Sequence, residues 1–477
     1  MIIFDAARKI NKYRKMRKKA MAGRYLSPVR RIERVSPQSG QRYVAMTFDD
    51  GPSAAPPRPV PGGIDLQTGL TDLLCQILDS YNAKGTFDVI GTTEFNYPDK
   101  AGKEHHFTWS GTKFDHYPDF DNDKLAGIAN QINIARALLE SGHELANHGF
   151  RHILFGPMRF FYGTRTYFHK LAEVIYDLST LHTLVKSELG YEMHFSRPPH
   201  YIDNIPDGFS AYDAYRDMGY QYLAASFDGG GWLPTVGNYD DDTAKMVKPL
   251  ETALLADPNS LNGQIIFQKD GYNMSHQTPV ADALPLQLNL LRDNGYKVIT
   301  ASELISLSPF EDLTDAHPCF ASARELANAN HCIGYKNNTF QPDRLVTHGE
   351  LAMMLTPPEV LRQKHAGFVS ETINSYNLAP VGSLLASQSD FADKPSKNLG
   401  KHAYADAFGW CFSQGLISDI KNYDPEKLVT TRELGELIDS AVKVGYSKTS
   451  KLDMQSVNSP TPLNRGTIIN IIKQICL

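Results

Sequence analysis

The sequence predicts an α/β chain with a parallel sheet, followed by a smaller and mostly helical repeat domain. Three observations carry that expectation. Short β-favouring runs alternate with amphipathic helical stretches from Val44 to Thr300, and such alternation is how parallel sheets are written in sequence. The runs end in charged or glycine-rich turns, at Asp49-Asp50-Gly51-Pro52, Arg197, Asp228-Gly229-Gly230-Gly231-Trp232 and Lys269-Asp270-Gly271, as expected where function gathers at strand C-termini. After Pro309 a pattern of turn, aromatic, proline and helix recurs at roughly 50 to 80 residues, which signals an array of small helical units.

Composition narrows the class. A chain of 477 residues is long enough for several domains with real cores. Hydrophobic content of 42% and charged content of 21% are those of a globular protein. A formal net charge of −5 leaves no nucleic-acid footprint. Cys75, Cys319, Cys332, Cys411 and Cys476 are scattered, with no Cys-x-x-Cys spacing, so they read as small hydrophobes and not as a disulfide framework or thiolate zinc site. No apolar run of about 18 residues is present, so no transmembrane helix is expected. Residues 1–40 read as a basic arm, because Arg8 to Arg34 is rich in Lys and Arg and lacks the apolar core of a secretory signal. Ile2, Ile3, Phe4, Ile10, Tyr13 and Met16 can line one side of a short helix for a membrane surface or anionic polymer. A solvated arm packed loosely on the α/β domain is the preferred reading.

The elements follow in order. Val44 to Phe48 is a strand that delivers two adjacent carboxylates to its tip. Leu70 to Tyr81 has apolar residues at helical spacing, and Lys84 to Ile90 is the next strand. Gly91 to Asp123 is a long polar and aromatic stretch with His105, His106, Trp109 and His116, long enough to act as a lid or a sugar groove. Leu125 to Ser141 and Thr166 to Leu189 are helical in period. Met193 to Ser196, Gln221 to Phe227, Gln264 to Gln268 and Lys297 to Thr300 read as strands, with a helix from Pro279 to Asn294.

One spacing bears on chemistry. In Gly142-His143-Glu144-Leu145-Ala146-Asn147-His148-Gly149-Phe150-Arg151-His152, two histidines stand four apart. On a helical turn His148 and His152 would share a face, a geometry that zinc sites use, although such a pair is more often surface decoration. With Asp49-Asp50 they make a candidate His-His-Asp metal site with a spare carboxylate beside it. Three protein ligands and an open position is the catalytic zinc pattern.

Thr47-Phe48-Asp49-Asp50-Gly51-Pro52, the His-x-x-x-His pair and Phe195-Ser196-Arg197-Pro198-Pro199 resemble, in order, the first three motifs of the polysaccharide deacetylases, the NodB-homology carbohydrate esterases of family 4. The resemblance runs from about Tyr43 to Leu304. It implies a distorted (β/α)7-8 barrel over residues 41–307 and a metal-dependent hydrolase acting on carbon–nitrogen (amide) bonds other than peptide bonds. It implies that Asp50, His148 and His152 bind a divalent metal, zinc before cobalt or another ion. Asp49 would be the general base and Arg197 would orient it. Pro199, His200, Asp228 and Trp232 become candidate substrate contacts, with Trp232 walling an acetyl pocket.

The chain departs from the pattern late. The family's histidine acid, in a Leu-His-Asp-like run, falls on Lys269, and the aspartate that pairs with it falls on Gly231. The family also carries a second aromatic where this chain has Asp88. Three outcomes stay open: Lys269 donates the proton to the leaving amine, His200 or His276 takes over, or the acid arm is gone.

The C-terminal third resembles S-layer homology repeats, which anchor proteins to cell-wall polysaccharide. The run Gly334-Tyr335-Lys336-Asn337-Asn338-Thr339-Phe340-Gln341-Pro342 carries the match. Repeat 1 spans 308–357, a linker 358–389, repeat 2 spans 390–445 and a partial repeat 3 spans 446–477. Three repeats imply a pseudo-threefold unit. The family's wall-binding arginine falls on His348, on Thr431 (with Arg432 next door) and on Arg465, so only the third copy matches.

The expected function is removal of N- or O-linked acetyl groups from a cell-wall or extracellular polysaccharide, with a cell-wall polymer as a further partner through the repeats. The alternatives are a non-catalytic wall-binding protein with a degenerate barrel, or a hydrolase of a small amide. The repeats point to the cell surface or wall; the lack of a visible signal peptide keeps a cytoplasmic location open.

Overall fold

A computed structural model of the protein describes residues 23–60, 68–93, 124–157, 166–232, 238–273, 275, 277–362, 403–418, 424–445 and 461–477. The apolar face expected on the first 20 residues, the aromatic stretch with His105, His106, Trp109 and His116, and His276 lie outside them. The described residues form two compact units, Ile32–Ile305 and a second made of the residues up to Arg31 with those from Ser306 onward. No helix among them is long and apolar enough to cross a membrane.

The first unit is a curled parallel sheet flanked by helices. Its strands are β1 (Arg31–Ile32), β2 (Arg42–Asp49), β3 (Thr86–Val89), β4 (Glu144–Asn147), β5 (Phe195–Ser196), β6 (Gln221–Leu223), β7 (Phe227–Asp228), β8 (Ile265–Lys269) and β9 (Tyr296–Ile299). They lie in the order β1-β6-β5-β4-β3-β2-β8-β7, with β9 beside the first half of β2, and the pairings among β2 to β9 are parallel. The strand expected at Gln221–Phe227 is broken in two. Its start pairs with β5 and its end with β8, so one bent run of chain links β7 at one end of the row to β6, next to the other end. A distorted barrel results.

The helices α1 (Leu70–Ser80), α2 (Ile132–Glu140), α3 (Leu171–Leu189), α4 (Ala211–Met218), α5 (Tyr239–Ala256), α6 (Val280–Asp293) and α7 (Ala301–Leu307) connect the strands. The helix expected from Leu125 begins only at Ile132, and the one expected from Thr166 begins at Leu171. Strand β2 is buried from Val44 to Asp49, with Phe48 stacked on Phe87 of β3 at 4.9 Å between ring centres. Burial on both faces explains why this strand reads as a continuous apolar run.

The second unit contains α8 (Phe320–Asn328), α9 (His348–Leu355), α10 (Pro358–Arg362), α11 (Ala405–Ser413), α12 (Thr431–Lys443) and α13 (Arg465–Cys476). Three of these helices start in the same way. Thr347, Thr430 and Asn464 accept hydrogen bonds from the backbone N–H of Glu350, Glu433 and Thr467, which caps α9, α12 and α13. The residues just before the caps close a ring. Val346 donates to the carbonyl of Leu463 (2.9 Å), Leu463 to Val429 (3.1 Å), and Val429 back to Val346 (2.9 Å). A second ring follows: His348 N–H bonds the Lys427 carbonyl (2.9 Å), Thr431 the Thr461 carbonyl (3.4 Å) and Arg465 the Arg344 carbonyl (2.9 Å). Each of the three capped segments therefore bonds to both others.

The arm is corrected in part. Residues 26–31, expected to lie loosely on the α/β domain, pack into the helical unit. Leu26 bridges Tyr335 and donates its N–H to the Tyr404 hydroxyl at 2.8 Å. Arg30 is buried and bonds the Pro309 carbonyl (2.5 Å) and Asn338 Oδ1 (2.8 Å) over the Phe310 ring. Basic character near a terminus misleads here because a guanidinium satisfied by carbonyls and an aromatic face can be buried.

Candidate functional site

Sheet register builds the site. The parallel pairings β2·β8 and β2·β3 place Lys269, Asp49 and Asp88 side by side on three adjacent strands. Residues just beyond the strand tips complete the group: Asp50 after β2, His148 after β4 and Arg197 after β5. All six are buried.

Asp50 turns away from the sheet in the left-handed region, at φ 81°, and its N–H bonds the Asp88 carbonyl at 3.2 Å. One carboxylate oxygen, Oδ1, faces two imidazoles, with His152 Nε2 at 2.9 Å and His148 Nε2 at 3.3 Å. The other, Oδ2, pairs with the Lys269 ammonium. Burial pushes the Asp50 carboxyl up, but Lys269, His152 and His148 together outweigh it and hold the group well below the usual carboxylate range.

The histidines do not sit on a helix. The chain leaves β4, turns at Gly149 (φ 90°) and reaches His152 at φ 52°. Asp177 on α3 fastens that turn, accepting from Phe150 N–H (2.8 Å) and from Arg151 Nε (2.7 Å). Asn147 adds a bond, its Oδ1 accepting from Gly149 N–H at 2.9 Å. The four-residue spacing brings the rings to 5.0 Å through a loop, because the positive φ at Gly149 and His152 folds the chain back as a helical turn would. His148 Nδ1 stands 2.8 Å from the Arg197 carbonyl, which can only accept, so Nδ1 carries a proton and Nε2 is the nitrogen that faces the cluster.

One carboxylate oxygen and two imidazole nitrogens, all within 4.8 Å of one another, fit a divalent metal that takes nitrogen and oxygen donors. Asp49 stands beside them, with Oδ2 3.7 Å from His148 Nε2. Arg197 is fully buried and grips Asp49 Oδ1, while its Nη2 bonds Thr47 Oγ1 (3.0 Å) and its Nε bonds the Leu223 carbonyl (3.1 Å). Its Nη1 also stands 3.2 Å from Asp88 Oδ2. Asp88 was visible in the sequence only as a missing aromatic. In the fold it is a second carboxyl on the same guanidinium, with neither oxygen accepting a hydrogen bond. Burial pushes it up to about 8 against the pull of Arg197, and Asp49 adds to the rise.

Of the candidate substrate contacts, Pro199 and His200 lie in a 3-10 turn at Pro199–Tyr201, where His200 (φ 54°) and Tyr201 (φ 56°) both adopt left-handed conformations. Such strain in non-glycine residues clusters at functional sites. The His200 ring lies 5.6 Å from that of His152. Asp228 and Trp232 are exposed at and beyond the end of β7, and the indole N–H reaches Asp228 Oδ2 at 3.3 Å.

His143, the first histidine of the motif, serves the fold. Its Nδ1 accepts from Gly85 N–H at 3.0 Å, which leaves the proton on Nε2, 3.7 Å from Asp79. That tautomer cannot offer Nε2 to a metal, so the neighbouring Cys75–Asp79–His143 group is a poor ligand set as it stands. Burial lowers the His143 pKa to about 4. A histidine lowered in the folded state stabilises above its unfolded value near 6.5, and that contribution is lost as pH falls toward 4. The unfolding free energy of the wild type, read from denaturant titrations, is expected to fall across this window by on the order of 1–3 kcal/mol more than that of His143→Gln, whose side chain can still accept from Gly85.

No curated protein has a matching sequence. Among solved structures, the peptidoglycan deacetylase PdaC from Bacillus subtilis is 19% identical, covering 56% of this chain and 90% of its own with a TM-score of 0.35. The Xyl-CE4 domain of a multidomain xylanase from the hindgut metagenome of Trinervitermes trinervoides is 19% identical, covering 58% and 97% with a TM-score of 0.36. A CE4 family pseudoenzyme from Bacillus anthracis is 14% identical, covering 59% and 70% with a TM-score of 0.35. Residues 36–223, which supply Asp49, Asp50, Asp88, His148, His152 and Arg197 but end before Asp228, Trp232 and Lys269, match the family model described as polysaccharide deacetylase.

Proposed function

We propose that the barrel is a metal-dependent hydrolase that removes acetyl groups, N- or O-linked, from a polysaccharide. The observation that supports this most is the convergence of Asp50, His148 and His152 beside a second carboxylate, Asp49, gripped by a buried arginine. A divalent metal on those three ligands, zinc or cobalt, would polarise an acyl carbonyl and acidify a water. Asp49 then accepts the proton of the attacking water, and Arg197 keeps its carboxylate aimed. Lys269 stands where the resembled family has its acid and is assigned the proton delivered to the leaving group.

The helical unit is proposed to follow the S-layer homology plan, with cell-wall polymer as its partner and the cell surface as its place of action. Arg465 is excluded as the polymer contact, since it is fully buried. Co-sedimentation of the full chain with purified cell walls checks this part separately.

Acetate release tests the enzyme. Zinc- or cobalt-loaded protein should release acetate from acetylated chito-oligosaccharides or peptidoglycan. Asp49→Asn should lose about a hundredfold to ten-thousandfold of that rate. A chelator should abolish it, with recovery on adding metal back. Bound metal without release from either substrate would move the barrel to the non-catalytic reading or to a small amide.

A further inference from the structure

We propose that Lys269 is a built-in competitor for the metal, and that its charge sets how tightly Asp50, His148 and His152 hold a divalent ion. The inference rests on the metal-dependent reading above. Asp50 divides its two oxygens: Oδ1 meets the imidazoles and Oδ2 meets the Lys269 ammonium. A cation entering the ligand group must share one carboxylate with a positive charge already bonded to it.

The geometry keeps that charge in place. Lys269 is 3% exposed, so solvent and salt screen it weakly from the ligand group. The other acid beside it, Asp270, faces elsewhere: its two oxygens lie 2.8 and 2.7 Å from Thr71 Oγ1, whose one proton they share. Gly271 closes a further side, since a Cβ there would already lie 3.6 Å from both Cε and Nζ of Lys269. Asp50 is thus the partner that compensates the buried ammonium, and a metal must draw on that same partner.

A consequence for selectivity follows. Ions that gain strongly from two imidazoles, such as zinc and cobalt, overcome the competition. Hard ions that depend on carboxylate charge, such as magnesium and calcium, do not. A neutral residue at 269 should raise affinity across the series.

Zinc affinity of the full chain, read by competition with a chromophoric chelator, tests this. Lys269→Met is expected to bind at least about tenfold more tightly than the wild type, and His152→Ala to lose binding. Lys269→Gln keeps a donor for Oδ2 without the charge and should shift in the same direction, which covers a Met variant that does not fold. Unchanged or weaker binding in the folded variant, with His152→Ala still losing zinc, overturns the competitor role and leaves the metal site standing. Zinc binding that ignores His152 in every protein overturns both.

Discussion

Arg197→Met should destabilise the barrel by about 3–5 kcal/mol, measured as a loss in denaturant midpoint at constant slope. The guanidinium is fully buried and serves two carboxylates, Asp49 and Asp88, on neighbouring strands. Removing it strands the Asp49 carboxylate beside the buried carboxyl of Asp88, where water cannot reach them. Thr47 Oγ1 and the Leu223 carbonyl also lose their donor. The Asp88→Asn change tests the account. Alone it should cost little, because Asp88 accepts no hydrogen bond and already favours its protonated form. Combined with Arg197→Met it should recover about 1–2 kcal/mol by removing one of the stranded carboxyls. A double variant no more stable than Arg197→Met would mean that Asp88 does not share the arginine's charge.

Arg465→Met should destabilise the helical unit by about 2–4 kcal/mol, through two lost carbonyl bonds and two lost ring contacts. Its Nε bonds the Phe340 carbonyl at 2.5 Å and its Nη2 bonds the Ile333 carbonyl. Its guanidinium lies 4.7 Å from the ring centres of both Tyr335 and Phe340. Arg465, at the start of α13, thus clasps the segment from Ile333 to Phe340. Thermal unfolding followed through the helical unit's Trp410 would check it, and Arg465→Lys should not rescue fully, because an ammonium lacks the planar fork. A variant of unchanged stability would return Arg465 to consideration as a surface contact.

Much of this was legible in residue order. The alternation of strand and helix, the strand tips and the recurring C-terminal pattern were visible because local periodicity and turn chemistry write them directly. Asp49, Asp50, His148, His152 and Arg197 stood out as motif residues, and the fold gathers them. Distance across the sheet was not legible. Asp88 lies 39 residues from Asp49 in sequence yet beside it in register, so its hold on Arg197 had no local signal. The same holds for Lys269, whose position could be aligned but whose bond to Asp50 could not. The histidine pair invited a helix because spacing alone does not report φ. Arg465 invited a polymer-binding role because it alone fell on the resembled family's arginine, and only its long-range bonds to the Phe340 and Ile333 carbonyls account for its burial.

The division of the chain bears on how the molecule assembles during synthesis. The barrel interrupts the helical unit, whose first residues precede Ile32 and whose remainder begins at Ser306. Leu26 must therefore find Tyr335 and Tyr404 across roughly 300 to 380 residues, a closure whose entropy grows with the logarithm of the separation. Within the barrel, Ile32 and Val35 share one apolar cluster with Leu304 and Ile305. A barrel that folds first thus brings its own entrance and exit together and reduces that long search to a short one. The helical unit becomes the late step of maturation, and a lesion confined to the barrel core should delay or prevent its completion.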